Sequence, residues 1–304
     1  MAKNQAKSRQ IAIVGQGAIG GLIGFKCHQL GYAYQHLLRT PHQNNLKVTD
    51  INGKRHELKA NNVGVAQATE FKTLIIPVKA YQVMDVLKQL LPLIQSKHTL
   101  VLMHNGMGTA EQVKKRFPDN PLVVATTSYG AYKPSKDSLI ETGIGHTHLG
   151  WLTKAERPLQ SMIESNLSAL LPPSTWHNDI TLALWKKLVI NAVINPLSAI
   201  HNIKNGQLSE AKYQAAIFDV CAEISSVMNS LNYKTTVQSL VESVLQVITA
   251  TANNYSSMHQ DITSKRRTEI EFINGYIIKK GQDLNVATPH NQYLFEQIRL
   301  LESA

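Results

Sequence analysis

Lys187, Asn191 and Asn195 stand four residues apart in a chain of 304 residues. On an α-helix four residues turn through about 400°, so one amine and two carboxamides fall along a single stripe drifting by about 40° per step. Leu188, Val189, Ile190, Ala192, Val193 and Ile194 fill the gaps, which predicts a helix buried on nearly every face. A lysine held in such surroundings needs a partner or a shifted pKa. An amine and two amides facing one way suit a polar site for a small molecule. A snorkelling lysine with two asparagines bonded to neighbouring backbone would produce the same pattern.

A second pattern lies near the start. Gly15-Gln16-Gly17-Ala18-Ile19-Gly20 follows the apolar run Ile11–Val14 and opens a helical segment, the context in which G-x-G-x-x-G signals a dinucleotide site. Gly15 permits the tight turn, Gly17 lets backbone approach a pyrophosphate, and Gly20 lets helix and strand pack closely. The helix N-terminus supplies amide donors for the phosphates. In NAD-binding versions a carboxylate ends the second strand and holds the ribose hydroxyls. Here the first acidic residue of the chain is Asp50, and Arg39, with His42 close behind, takes that place. A guanidinium there matches a 2′-phosphate in charge and fork geometry, so the expected cofactor is NADP(H). Lys79 and the turn His104-Asn105-Gly106-Met107-Gly108 follow two further candidate strands, at the end where open α/β sheets bind ligands.

The elements that must position these groups come in two kinds. Candidate strands at Ile11–Val14, Tyr34–Leu38, Leu74–Val78, Thr99–Met103 and Leu122–Thr126 alternate with helical patterns near Ala18–Leu30, Val83–Ile94 and Ala110–Arg116. This order predicts a doubly wound, mostly parallel sheet. Gly31 is the expected C-cap of the first helix, and Pro77 should end or bulge the third strand. Beyond Leu170-Leu-Pro-Pro-Ser-Thr175 only helices are expected: Asp179–Asn195, Ser209–Leu231, Thr236–Asn253, Asp261–Lys280 and Thr288–Leu301, the last with Thr288 as N-cap and Pro289 in its first turn. The expected division is 1–177 and 178–304. The polar stretches Asn254–Met258 and Arg267–Gly275 read as a solvated face, with Lys265 and Glu269 able to pair across one turn.

Composition narrows the function. A net charge of +10 favours anionic partners, but the basic residues are scattered without aromatic interleaving, which argues against nucleic acid. The two cysteines, Cys27 and Cys221, form no motif, so a reducing cytoplasm is the expected compartment. The basic segment Met1–Gln10 lacks a signal-peptide core, and no run suits a membrane span. The twelve histidines are dispersed, so no metal is expected.

Taken together, Gly15–Gly20, Val78–Val83, His104–Gly108, Leu184–Ala199, Asn205-Gly206, Ser256–Met258 and Arg267–Gly275 resemble the ketopantoate reductase (2-dehydropantoate 2-reductase) family from Ile11 to about Leu300. The resemblance implies an N-terminal Rossmann-type domain and an all-α C-terminal domain like that of 6-phosphogluconate dehydrogenase. It implies NADPH-dependent reduction of 2-dehydropantoate to (R)-pantoate, a step of pantothenate and coenzyme A synthesis, by a monomer or homodimer. Lys187 matches the catalytic proton donor and Glu269 the assisting carboxylate. Asn105, Asn191, Asn195, Asn205 and Ser257 match substrate-binding positions. Gly15, Gln16, Gly17, Ala18, Ile19, Gly20, Arg39, Lys79, Asn105 and Ala131 match cofactor-contacting positions. Two other readings stay open: a related NADP-dependent reductase of another 2-keto acid or 3-hydroxy acid, and a non-catalytic NADP sensor.

Overall fold

Residues 10–303 are described in a computed structural model; the basic segment read above for a targeting signal lies, but for Gln10, outside them. The strands are β1 Gln10–Val14, β2 Ala33–Leu37, β3 Leu46–Thr49, β4 Arg55–Leu58, β5 Asn62–Val63, β6 Thr73–Ile76, β7 Thr99–Met103, β8 Leu122–Thr127, β9 Gly130–Ser135, β10 Ser138–Gly143, β11 Thr147–Thr153 and β12 Ser174–His177. The helices are α1 Ala18–Gln29, α2 Val83–Leu90, α3 Thr109–Arg116, α4 Leu159–Leu170, α5 Thr181–Ile200, α6 Ala211–Ser230, α7 Val237–Ala250, α8 Ser257–Thr263, α9 Asn274–Asp283 and α10 Pro289–Ser303. Contacts divide the chain into two units: residues up to His104 with Thr109–Ile180, and Asn105–Gly108 with the residues from Thr181 on.

In the first unit, eight strands run in the order β12-β11-β8-β7-β6-β1-β2-β5. From β5 to β8 every neighbouring pair is parallel, whereas β11 runs antiparallel to β8. Ile11–Val14 are all buried because β1 is central and covered on both faces, as apolar strands of parallel sheets are. β6 stops at Ile76, one residue before Pro77, which lacks the donor to continue the ladder.

A second sheet, β4-β3-β10-β9, was not anticipated. Its strands are short and mostly polar, and β3, Leu46-Lys47-Val48-Thr49, alternates apolar and polar over four residues alone. This sheet explains why most of α1, from Gly20 to Phe25, is apolar and buried. Leu22, Ile23, Phe25 and Cys27 are fully buried in one core with Leu46, Val48 and Leu139 of the second sheet and Ile13 and Ile75 of the first. Lys26 leaves this helix to pair with the buried Glu141 on β10 at 2.8 Å. Gly31, at φ +67°, follows the helix as expected.

The second unit is helical and centred on α5, whose Trp185, Leu188, Val189, Ala192, Val193 and Leu197 lie in its core. Several expectations fail here. The helix runs through Pro196 to Ile200 instead of stopping at Asn195. Proline removes the donor that Ala192 O would receive, and Asn274 Nδ2 supplies another at 3.0 Å. The expected helix Asp261–Lys280 is broken: α8 ends at Thr263, Lys265 is left-handed at φ +52°, and a 3-10 turn covers Ile270–Phe272. Pairing of Lys265 with Glu269 across a helical turn therefore has no helix to rest on. Nor is the stretch a solvated face, since Ser256, Thr268, Glu269, Ile270 and Asn274 are buried.

Candidate active site

The glycine turn is built as its spacing requires. Gly15 takes φ +75°, where a side chain would be strained. A Cβ on Gly20 would stand 2.9 Å from Gly15 O, whereas one on Gly17, the N-cap of α1, would meet nothing within 4 Å. The turn is therefore closed behind Gly20 and open over Gly17, a cradle that suits a phosphate group.

Residues that the sequence did not single out hold this cradle in place. His36 on β2 donates through Nδ1 to Gly15 O at 3.0 Å, and burial pushes its pKa down to about 4, keeping the ring neutral. His36 Nε2 occupies the space a side chain at Gly24 would need, 2.4 Å from such a Cβ. Gln16 Nε2 donates to Asn62 Oδ1 at 3.2 Å, and Lys133 Nζ to Gln16 O at 2.8 Å. Arg39 lies exposed just beyond β2, Lys79 follows β6, and Ala131 lies on β9, two residues from Lys133. Arg39 and Lys79 thus stand at the carboxyl ends of strands neighbouring β1, where open parallel sheets bind ligands.

In the helical unit, Lys187 and Asn191 are half-buried along α5 and Asn195 is buried. Desolvation lowers the Lys187 pKa to about 8, against the pull of the Glu269 carboxylate, which raises it. Glu269 is held from several sides. The loop before it is pinned by Thr268 N donating to Glu302 Oε1 at 2.6 Å, and its own carbonyl accepts from Phe272 N at 3.0 Å. Its Oε2 accepts from Asn105 Nδ2 at 3.3 Å. Asn105 comes in on the turn whose Met107 N donates to Phe272 O at 2.8 Å. Gly106 is obligatory in that turn: it has φ +81°, and a Cβ would stand 2.4 Å from Phe272 O. Amine, carboxylate and amide thus converge from three chain segments. Such a set can stabilise a developing oxyanion, deliver a proton and hold hydroxyl or carboxylate groups.

Ser257 opens α8, exposed at its first position. The preceding Ser256 caps the helix by accepting from His259 N at 3.1 Å, and its Oγ lies 2.7 Å from Ser198 Oγ on α5. Asn205 is placed differently from the stripe residues. Its Nδ2 donates to Thr251 Oγ1 at 2.9 Å and its backbone N to Asn254 O at 2.9 Å, which ties the 205–209 turn to the end of α7. Its buried Oδ1 has no hydrogen-bond partner. Cys27 and Cys221 are free and buried, and burial raises both thiols to about 12, so they are inert at neutral pH. Among the described residues, no helix is long and apolar enough to cross a membrane.

A Rossmann-type unit with an open glycine cradle, followed by a helical unit with a lysine–amide–carboxylate constellation, defines the class as a two-unit oxidoreductase. Residues 11–154 match the family model for ketopantoate reductase PanE/ApbA, and residues 179–302 match that for its C-terminal part. The chain is 35% identical to 2-dehydropantoate 2-reductase of Vibrio cholerae serotype O1 over 97% of this chain and 98% of the relative. It is 30% identical to the enzyme of that name from Pyrobaculum aerophilum, over 96% and 98%. Its fold is shared by 2-dehydropantoate 2-reductase from Geobacter metallireducens (TM-score 0.87, 20% identity, 96% and 99% covered) and by D-mandelate dehydrogenase solved with NADH and anilino(oxo)acetate (TM-score 0.86, 24% identity, 97% and 98% covered). This protein belongs to the ketopantoate reductase family.

Proposed function

We propose that this protein reduces 2-dehydropantoate to (R)-pantoate with NADPH, in the cytoplasmic synthesis of pantothenate and coenzyme A. The observation that carries the reading is the Lys187 ammonium, held by burial near a pKa of about 8 beside a carboxylate that Asn105 fixes. The glycine cradle fits the diphosphate of a dinucleotide, and Arg39 suits a 2′-phosphate. NADPH, when bound, supplies a hydride to the 2-keto carbon. As that carbon is reduced, its oxygen gains negative charge, which the Lys187 ammonium stabilises and then protonates to the hydroxyl. A donor with a pKa near working pH transfers its proton most effectively. Asn191 and Asn195 orient the carbonyl and carboxylate through amide donors, Ser257 binds the carboxylate end, and Glu269 accepts from the distal hydroxyl. Asn205 acts from one step away, by holding the turn after α5.

The test is NADPH oxidation with 2-dehydropantoate, wild type beside Lys187→Ala. Loss of a charged donor at the transition state predicts a fall of about 10²-fold or more. Near-normal turnover in the variant would refute the assignment. A panel of other 2-keto acids, run alongside, separates this substrate from its neighbours; binding of NADPH without turnover of any keto acid would leave a sensor.

A further inference from the structure

The second sheet carries a cation to the glycine turn, and neither the residue motifs nor the family resemblance pointed to it. Lys133 on β9 reaches Gln16, the residue between the first two glycines, and donates to its carbonyl at 2.8 Å. An ammonium has three donors, so two remain beyond that bond. The turn's carbonyls are engaged on the protein side: Gly15 O by His36 and Gln16 O by Lys133. Gly17 O accepts from Gly21 N at 2.8 Å within the helix. The open side therefore presents amide groups at a helix start that has no acidic residue in its first turn and no side-chain cap. Gln16 Oε1 is buried without a partner. Lys133 is half-buried, and desolvation lowers its pKa while the Asp137 carboxylate raises it. Asp137 sits beyond the end of β9 and also lies 3.9 Å from His42 Nδ1.

We propose that Lys133 is a phosphate-binding residue of the dinucleotide site, supplied by the second sheet. The ammonium, anchored on Gln16 O, turns its remaining donors toward a phosphate oxygen over the open turn. The phosphate is the diphosphate bridge or the 2′-phosphate, and the choice of cofactor distinguishes them. The inference rests on the dinucleotide reading above.

The test is equilibrium binding of NADPH and of NADH to the full chain, by titration calorimetry, for wild type, Lys133→Gln, Lys133→Arg and Asp137→Asn. Glutamine can still donate to the Gln16 carbonyl but carries no charge; arginine keeps the charge. Lys133→Gln should weaken binding about tenfold or more, with Lys133→Arg within a few-fold of wild type. Equal loss for both cofactors assigns the contact to the diphosphate, and loss for NADPH alone assigns it to the 2′-phosphate. Asp137→Asn keeps the side-chain shape and removes a negative charge near Lys133, so it should tighten binding of the anionic cofactor by about two- to fivefold, the range of a screened surface charge. A misfolded variant cannot produce that gain. The proposal is overturned if Lys133→Gln binds both cofactors like wild type, if arginine fails as badly as glutamine, or if Asp137→Asn weakens binding. Failure of wild type to bind either nucleotide would instead overturn the dinucleotide reading itself.

Discussion

Replacing Lys187 by methionine should make this protein more stable while abolishing its turnover. Methionine keeps the length of the stem and removes the charge. The lysine pKa falls from 10.5 to about 8 because desolvation outweighs the attraction of Glu269. At about 1.4 kcal/mol per pH unit, that gap is a cost of about 3 kcal/mol for keeping the amine charged in the folded state. Lys187 is only half-buried, so about 3 kcal/mol is an upper bound. Glu269 also loses a favourable charge in the variant, although Asn105 still donates to it. A net gain of about 1–2 kcal/mol at pH 7 is expected after these offsets. The sign with pH follows from proton counting. Between pH 8 and 10.5 the unfolded chain holds a proton on Lys187 that the folded chain has released, so wild-type stability rises with pH in that window. The methionine variant has no such rise, and its advantage should shrink from pH 8 upward. Urea unfolding followed by far-UV circular dichroism, at intervals from pH 7 to 10, measures the gap. A variant no more stable than wild type at pH 7, with a gap flat across the range, would refute the view that burial dominates at this lysine. In wild type the same ammonium must be present to donate its proton, so turnover should fall as pH rises through about 8.

Arg39→Ala should weaken NADPH binding by about tenfold or more while barely changing NADH binding; equal loss in fluorescence titrations with both would remove the 2′-phosphate assignment. Asn274→Ala should cost about 1–3 kcal/mol in urea unfolding, because Ala192 O loses the donor that replaces the missing Pro196 N–H; no loss would mean that another group satisfies that carbonyl. Lys26→Met should cost about 3 kcal/mol by leaving the Glu141 side chain, 1% exposed, without its cation. Restoring stability with Lys26→Met/Glu141→Leu would confirm that the unpaired charge, and not the packing of α1, is responsible.

Strand-helix alternation and the glycine spacing were enough to recognise the first unit's main sheet, because apolar strands covered on both faces and a close-packed turn leave direct traces in residue type. Pro77 ends its strand for the same reason: the missing donor is a local property. Pro196, which follows the expected helix end at Asn195, lacks the same donor without ending the helix. Its effect depended on whether a donor could be found for Ala192 O, and the donor came from Asn274, far along the chain. Neither could the second sheet be read, since its two local pairs, β3 with β4 and β9 with β10, become one sheet only through the pairing of β3 with β10, distant in sequence.

The stripe of Lys187, Asn191 and Asn195 follows from helical periodicity, and the Gly15–Gly20 turn from the steric needs of backbone at a tight bend. Both are consequences of neighbours in the chain, so residue order suffices for them. Whether the stripe becomes an acid–base site depended on Glu269. Sequence patterning placed that carboxylate on a solvated helix, whereas the break after Thr263 and the anchor on Glu302 bury it against Asn105. Burial and charge proximity between remote segments set a protonation state, and those quantities exist only once the chain has folded.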